Sequence, residues 1–183
     1  MRLFFRYPAP TILALSLILC AGACRPAPDV ATPIGPTTVV VVRHAEKAAD
    51  GADPSLLPEG VARAEALKEV LAGADVAAVY STPFLRTRAT AAPTAEALGL
   101  QVTITEVANL ETHPAEVAAR VLAEHRGETV LVVGHSNTVP AIVEALGGGA
   151  VAPITDAEYS HLFIVIIPAS GPVRTIKAQY GKG

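Results

Sequence analysis

From residue 37 onward the chain alternates two hydrophobic patterns. Short unbroken runs, such as the valines at 39–42 and Val-Leu-Val-Val at 130–133, are separated by longer Ala/Leu/Glu stretches with apolar positions three and four apart. Unbroken β-branched runs suit strands buried on both faces, and the wider spacing suits amphipathic helices. The pattern predicts strands over 39–42, 76–80, 102–105, 130–133, 162–167 and 173–178. It predicts helices over 58–71, 83–98, 114–125 and 138–146, the first with Val61, Ala64, Leu67, Lys68 and Leu71 on its inner stripe. Gly73, Gly99 and Gly147 follow as stops. Alternation of this kind predicts βα units around a largely parallel sheet, an α/β domain over 37–181 with no repeats.

The first 36 residues break the pattern. Arg2 and Arg6 precede an apolar run at 11–19, and Ala21-Gly22-Ala23 stands before Cys24. This is the layout of a secretory signal peptide over 1–23. The apolar run ends before Arg25 and Pro26, short of the roughly 20 residues a spanning helix needs. Cys24 resembles the lipid-modified first residue of a bacterial lipoprotein, and simple cleavage after Ala23 is the other reading. Both predict an exported protein of the bacterial envelope, periplasmic or anchored to the membrane through Cys24. Pro26, Pro28, Pro33 and Pro36 make 24–36 a stiff, extended linker.

Composition narrows the function classes. A chain of 183 residues, 51% hydrophobic and 17% charged, fits one globular domain rather than a disordered segment. A net charge of -3 without a basic stripe argues against a nucleic-acid partner. Both cysteines, Cys20 and Cys24, belong to the N-terminal segment, so the body has neither disulfide nor thiol chemistry.

The chemistry-bearing residues gather at predicted strand ends, where open α/β sheets bind ligands. Arg43 and His44 follow the first strand, and Gly134 and His135 the fourth. Ser81, Thr82 and Pro83 follow the second, with Arg86 in the first turn of the next helix. Arginine forks match phosphate oxygens, and a helix opened by Pro83 would add backbone donors. One imidazole can attack phosphorus while another holds the transferring group. His113, His125 and His161 read as structural. Glu46 and Lys47 fit a solvated pair and a pocket role equally well. No metal-ligand spacing is present.

Three segments, VVRHAEK, YSTPFLRTRATAAP and VLVVGHSNTVP, resemble in order the signatures of the histidine phosphatase superfamily, the phosphoglycerate-mutase-like proteins. The resemblance covers about 37–179 and is nearest to the small, cap-less members related to SixA. It implies a three-layer αβα sandwich and phosphatase activity without metal or organic cofactor. By position it implies His44 as the nucleophile that becomes phosphorylated. Arg43, Arg86 and His135 would hold the phosphoryl oxygens, with Ser136 in the substrate pocket. Arg88 is left out of the site, because residues two apart do not share a helical face. Ala45 stands where the family usually has Gly, and Ser136-Asn137 where many relatives have two glycines. The acid that protonates the leaving group would be Glu106, with Glu111 as the alternative. The expected reaction is hydrolysis of a phosphomonoester or phosphohistidine, with a small phosphorylated substrate as partner. The contrasting reading is a non-catalytic module that binds phosphate or a phosphosugar.

Overall fold

Each predicted strand and helix forms within a residue or two of its expected bounds in a computed structural model, described for residues 35–182. The expected signal segment, Cys24 and most of the linker lie outside the described residues. The strands are β1 (Thr37–Arg43), β2 (Val76–Ser81), β3 (Val102–Ile104), β4 (Thr129–Gly134), β5 (His161–Ile167) and β6 (Arg174–Gln179). The helices are α1 (Pro58–Leu71), α2 (Leu85–Ala97), α3 (His113–Glu124) and α4 (Thr138–Ala145).

The strands form one sheet in the order β3-β2-β4-β1-β5-β6. β1 pairs parallel with β4, and β2 parallel with both β3 and β4. The expectation of a mostly parallel sheet holds for these four strands, whereas β5 runs antiparallel to β1 and β6 antiparallel to β5. Only residues 168–173 separate β5 from β6. That is too short for the crossover a parallel neighbour requires, so the two strands form a hairpin.

Helices cover both faces of the sheet, which makes the three layers. Val39 and Val41 pack towards Val117 and Val121 of α3 and Val139, Ile142 and Val143 of α4. Val40 and Val42 pack towards Leu67 and Leu71 of α1 and Ala91 and Ala95 of α2. Successive strand residues face opposite layers, and both layers are apolar, which explains the unbroken valine run. Each fully buried Val or Leu contributes on the order of 1.5–3 kcal/mol.

α1 departs from expectation in its roll. Its buried positions are Gly60, Arg63, Ala64, Leu67 and Leu71, while Val61 is 52% exposed. The cause is a close approach: a Cβ on Gly60 would collide with the Glu46 backbone. Arg63 then reaches inward, and its guanidinium grips the Glu46 carboxylate at 2.7–3.0 Å. Glu46 and Lys47 are therefore not a solvated pair.

Candidate active site

β1, β4 and β2 are neighbours in register, Arg43 opposite Gly134 and Ser81 opposite Val133. Their carboxyl ends therefore deliver His44, His135 and Thr82 to one edge of the sheet. α2 adds Arg86. These elements surround an open depression of about 420 Å³ lined by Arg43, His44, Arg86, His135 and Ser136. Lys47, Phe84, Val107, Leu110, Asn137 and Asp156 complete its walls.

His44 is only 3% exposed. Its N–H donates to Gly134 O at 2.9 Å. Its Nδ1–H donates to Ala45 O at 2.8 Å, which leaves the Nε2 lone pair free. Burial lowers its pKa to about 4; the Ala45 bond opposes that shift, and positive Arg43, Arg86 and Lys47 add to it. The imidazole is neutral at pH 7 and can act as a nucleophile.

The two arginines are held very differently. Arg43 Nη1 donates to Thr155 O at 2.8 Å, Glu158 O at 3.0 Å and Asp156 O at 3.2 Å, and the guanidinium stacks on Tyr159 at 4.1 Å. Arg86 has looser partners: its Nη1 lies 3.6 Å from Asp53 Oδ1 and its guanidinium 4.4 Å over the Phe84 ring. Both Nε groups are buried and have no acceptor among the described residues.

His135 sits edge-to-face with His44, ring centroids 5.5 Å apart. Its Nε2 lies 3.0 Å from Thr82 Oγ1 and its Nδ1 3.5 Å from Arg86 Nη2. Burial first, then positive Arg86, lowers its pKa to about 3.

The two candidate acids are not in this group. Glu106 and Glu111 are both exposed, and neither lines the depression. His113, buried at the start of α3, lies with Nδ1 3.2 Å from the Glu106 carbonyl, and the Glu111 N–H donates to Asn109 Oδ1 at 2.8 Å. It is Val107 and Leu110 of the same segment that reach the wall. The helix end differs as well. α2 begins at Leu85 rather than Pro83, and the Leu85 N–H already donates to the Asp53 carboxylate at 2.9 Å. Arg88 is exposed and lies outside the depression.

Thr82, placed at its strand end by the sequence but given no role there, contacts His135. Other site residues carry no such mark. Thr90 Oγ1 accepts the Ala45 N–H at 2.9 Å, and a hydroxyl at helical spacing from Arg86 is the available signal. Asp53 and Tyr159 sit in loops with no local pattern to place them. His125 and His161 do pair locally, with Glu128 at 2.8 Å and Glu158 at 3.0 Å.

Residues 39–111 match the family model of the histidine phosphatase superfamily (branch 1). No curated protein matches the sequence. Among solved structures, the chain is similar to the protein histidine phosphatase SixA complexed with tungstate. The two are 22% identical with a TM-score of 0.63, over 78% of this chain and 96% of that one. It is also similar to a SixA-type putative phosphohistidine phosphatase from Nakamurella multipartitia, at 24% identity and TM-score 0.56, over 82% and 99% of the two chains. A mycobacterial glucosyl-3-phosphoglycerate phosphatase in complex with inorganic phosphate shares 15% identity with a TM-score of 0.60, over 80% and 97%. The matched segment spans both His44 and Arg86, and the chain shares its fold with these phosphatases over nearly their full length.

Proposed function

We propose that this protein is a phosphatase of the histidine phosphatase superfamily, a metal-independent phosphohydrolase acting on a small phosphomonoester or phosphohistidine through a phosphohistidine at His44. The observation that carries the reading is the pair of buried Nε groups on Arg43 and Arg86, without acceptors, in the depression that holds a neutral His44. Unpaired buried donors are costly, and a tetrahedral oxyanion supplies the acceptors they lack. The tungstate in SixA and the phosphate in the mycobacterial enzyme are oxyanions of that kind in the same fold.

His44 Nε2 attacks phosphorus, its Nδ1–H anchored on Ala45 O. Arg43, Arg86 and His135 hold the phosphoryl oxygens as charge shifts towards the leaving atom. Water then attacks the phosphohistidine and releases phosphate. Ser136 lies in the wall, where a substrate would contact it. The exposed positions of Glu106 and Glu111 also favour a second reading, a module that binds phosphate or a phosphosugar without turning it over.

Hydrolysis of p-nitrophenyl phosphate between pH 4 and 8 with EDTA present, together with phosphohistidine detection at residue 44, tests the first reading. Activity and label in wild type and their loss in His44→Ala are expected. Activity retained in His44→Ala would sink it, and phosphate binding without turnover would favour the module.

We further assign the protein to the bacterial envelope, on Arg2, Arg6, the apolar run at 11–19 and Ala21–Cys24. Mass spectrometry of the mature N-terminus is expected to find a lipid-modified Cys24. A protein retaining Met1 would overturn export, and an unmodified N-terminus after Ala23 would remove only the anchor.

A further inference from the structure

Thr82 and Thr87 form a directed chain behind His135. Both are buried, at 1% and 0% exposure, so no water competes for their protons. Thr87 Oγ1 lies 2.8 Å from Phe84 O and 3.1 Å from Thr82 O. Carbonyls only accept, so the Thr87 proton goes to one of them. Thr87 then accepts from Thr82 Oγ1, 2.8 Å away, and this uses the single Thr82 proton. What remains on Thr82 is an acceptor, facing His135 Nε2 at 3.0 Å.

The other side of the ring leads to the same tautomer. Arg86 Nη2 can only donate, and it faces His135 Nδ1 at 3.5 Å. Reversing the chain would put a proton on Nδ1 and set two donors against each other. The charged and titratable groups acting on the ring are Arg86, His44, His113 and Arg43, and all of them oppose a second proton there.

From this arrangement we infer that Thr82 and Thr87 are positioning residues that hold His135 as its Nε2–H tautomer, so that a bare Nδ1 faces Arg86 and the phosphoryl site and carries the proton for the leaving atom. The role rests on the phosphohydrolase reading above, and it supplies the acid that Glu106 and Glu111 do not.

A monoester bound as its monoanion draws Arg86 onto its oxygens, brings negative charge that offsets the positive neighbours, and passes its P–OH proton to Nδ1. His44 Nε2 then bonds to phosphorus, the bond to the leaving oxygen breaks, and that oxygen takes its electron pair and the Nδ1 proton. In the second half, attacking water gives a proton back to Nδ1 as the P–N bond returns its pair to His44 Nε2. Released phosphate carries the proton away. Atoms and electrons balance without a further reactant.

The test is imidazole 15N NMR on the full chain at pH 7, with inorganic phosphate as the probe. Free wild type is expected to show His135 neutral and protonated at Nε2. Phosphate that moves the His44 resonances is expected to leave both His135 nitrogens protonated. Thr87→Val frees the Thr82 proton to turn towards Nε2, so the ring should shift towards Nδ1–H. Thr82→Val should lower kcat roughly tenfold or more for an alkyl phosphate. It should slow p-nitrophenyl phosphate less, because that leaving group needs no proton and only the water-attack half is affected, and Thr82→Ser should restore the alkyl rate. An Nδ1–H ring in free wild type, an unchanged tautomer in Thr87→Val, or a ring that stays neutral beside bound phosphate overturns the inference. Tautomers as stated with no turnover of any phosphate ester would instead overturn the phosphohydrolase reading and the proton-carrying role, leaving the positioning by Thr82 and Thr87 supported.

Discussion

The floor of the depression and its rim are built differently. On the floor, backbone and side chains are tied by buried bonds: His44 N–H to Gly134 O, Ala45 N–H to Thr90 Oγ1, and Glu46 to Arg63. Arg63 also donates to Tyr180 O at 2.6 Å and Lys182 O at 2.7 Å, which locks the C-terminal strand's end to the loop after β1. On the rim, Leu110 is 57% exposed and Asp156 is fully exposed. Buried bonds hold reacting groups to within tenths of an ångström, whereas exposed residues can change at little cost to the fold. On the proposed function, the floor would set the chemistry and the rim would set which phosphorylated molecule enters. The same contrast separates Arg43, gripped by three carbonyls, from Arg86, whose partners all lie at 3.5 Å or beyond.

Four experiments sharpen that contrast. The largest effect is expected from Arg86→Ala, a loss of about 10²–10³ in kcat/KM with stability nearly unchanged. Arg86→Lys should recover little of it, because an ammonium lacks the planar fork. If Arg86→Ala also melts many degrees earlier, Arg86 belongs to the structural floor and the contrast fails.

Acid comes next. For p-nitrophenyl phosphate, whose leaving group needs no proton, kcat/KM reports the free enzyme, so it should stay flat from pH 7 to 5 and drop as His44 takes a proton near pH 4. Stability follows the same ring. The folded pKa of about 4 lies below the ordinary 6.5, so between those values the unfolded chain binds more protons. The His44 contribution is fully present above pH 6.5 and is lost as pH falls through about 4. Urea midpoints at pH 7 and 5 should show the decline, and a midpoint that rises on acidification would contradict the buried neutral ring.

Thr90→Val removes the acceptor of the Ala45 N–H and leaves a buried donor unpaired, at a cost of about 1–3 kcal/mol. Thermal unfolding should record the loss and its recovery in Thr90→Ser. Equal stability in all three proteins would mean that the bond does not tie the loop after β1 to α2.

The smallest effect is expected at the rim. Leu110→Ala should change stability by less than about 0.5 kcal/mol while altering KM between small and bulky phosphate esters. Identical KM ratios would remove Leu110 from substrate selection.

Much of this was legible along the chain. The valine runs at 39–42 and 130–133 marked strands buried on both faces, and the polar residues after them marked the edge where His44, Arg86 and His135 meet. Local pattern is informative there because strand burial and strand-end placement are properties of short segments. It misled at α1, where the close approach of Gly60 to Glu46 turns the helix so that Val61 faces solvent. It also pointed to Glu106 and Glu111, because one residue's shift along the segment after β3 exchanges an inward side chain for an outward one. Asp53 was invisible for another reason: its partners, the Leu85 N–H and Arg86, lie about thirty residues away, across a loop with no periodicity.

By itself the sequence determined the α/β class, the order and near-bounds of the elements, and the placing of two histidines and two arginines at three strand ends. These follow from side-chain period and residue type, which are local. The tertiary structure alone decided that β5 and β6 turn back antiparallel and that the two histidine rings lie edge-to-face. It also decided that Arg43 is held by residues 155–158 while Arg86 stays loosely partnered, and that Thr82, Thr87 and Thr90 stand behind the reacting groups. Each of these depends on atoms brought within about 3–6 Å from distant parts of the chain, and no local period along the chain encodes such a meeting.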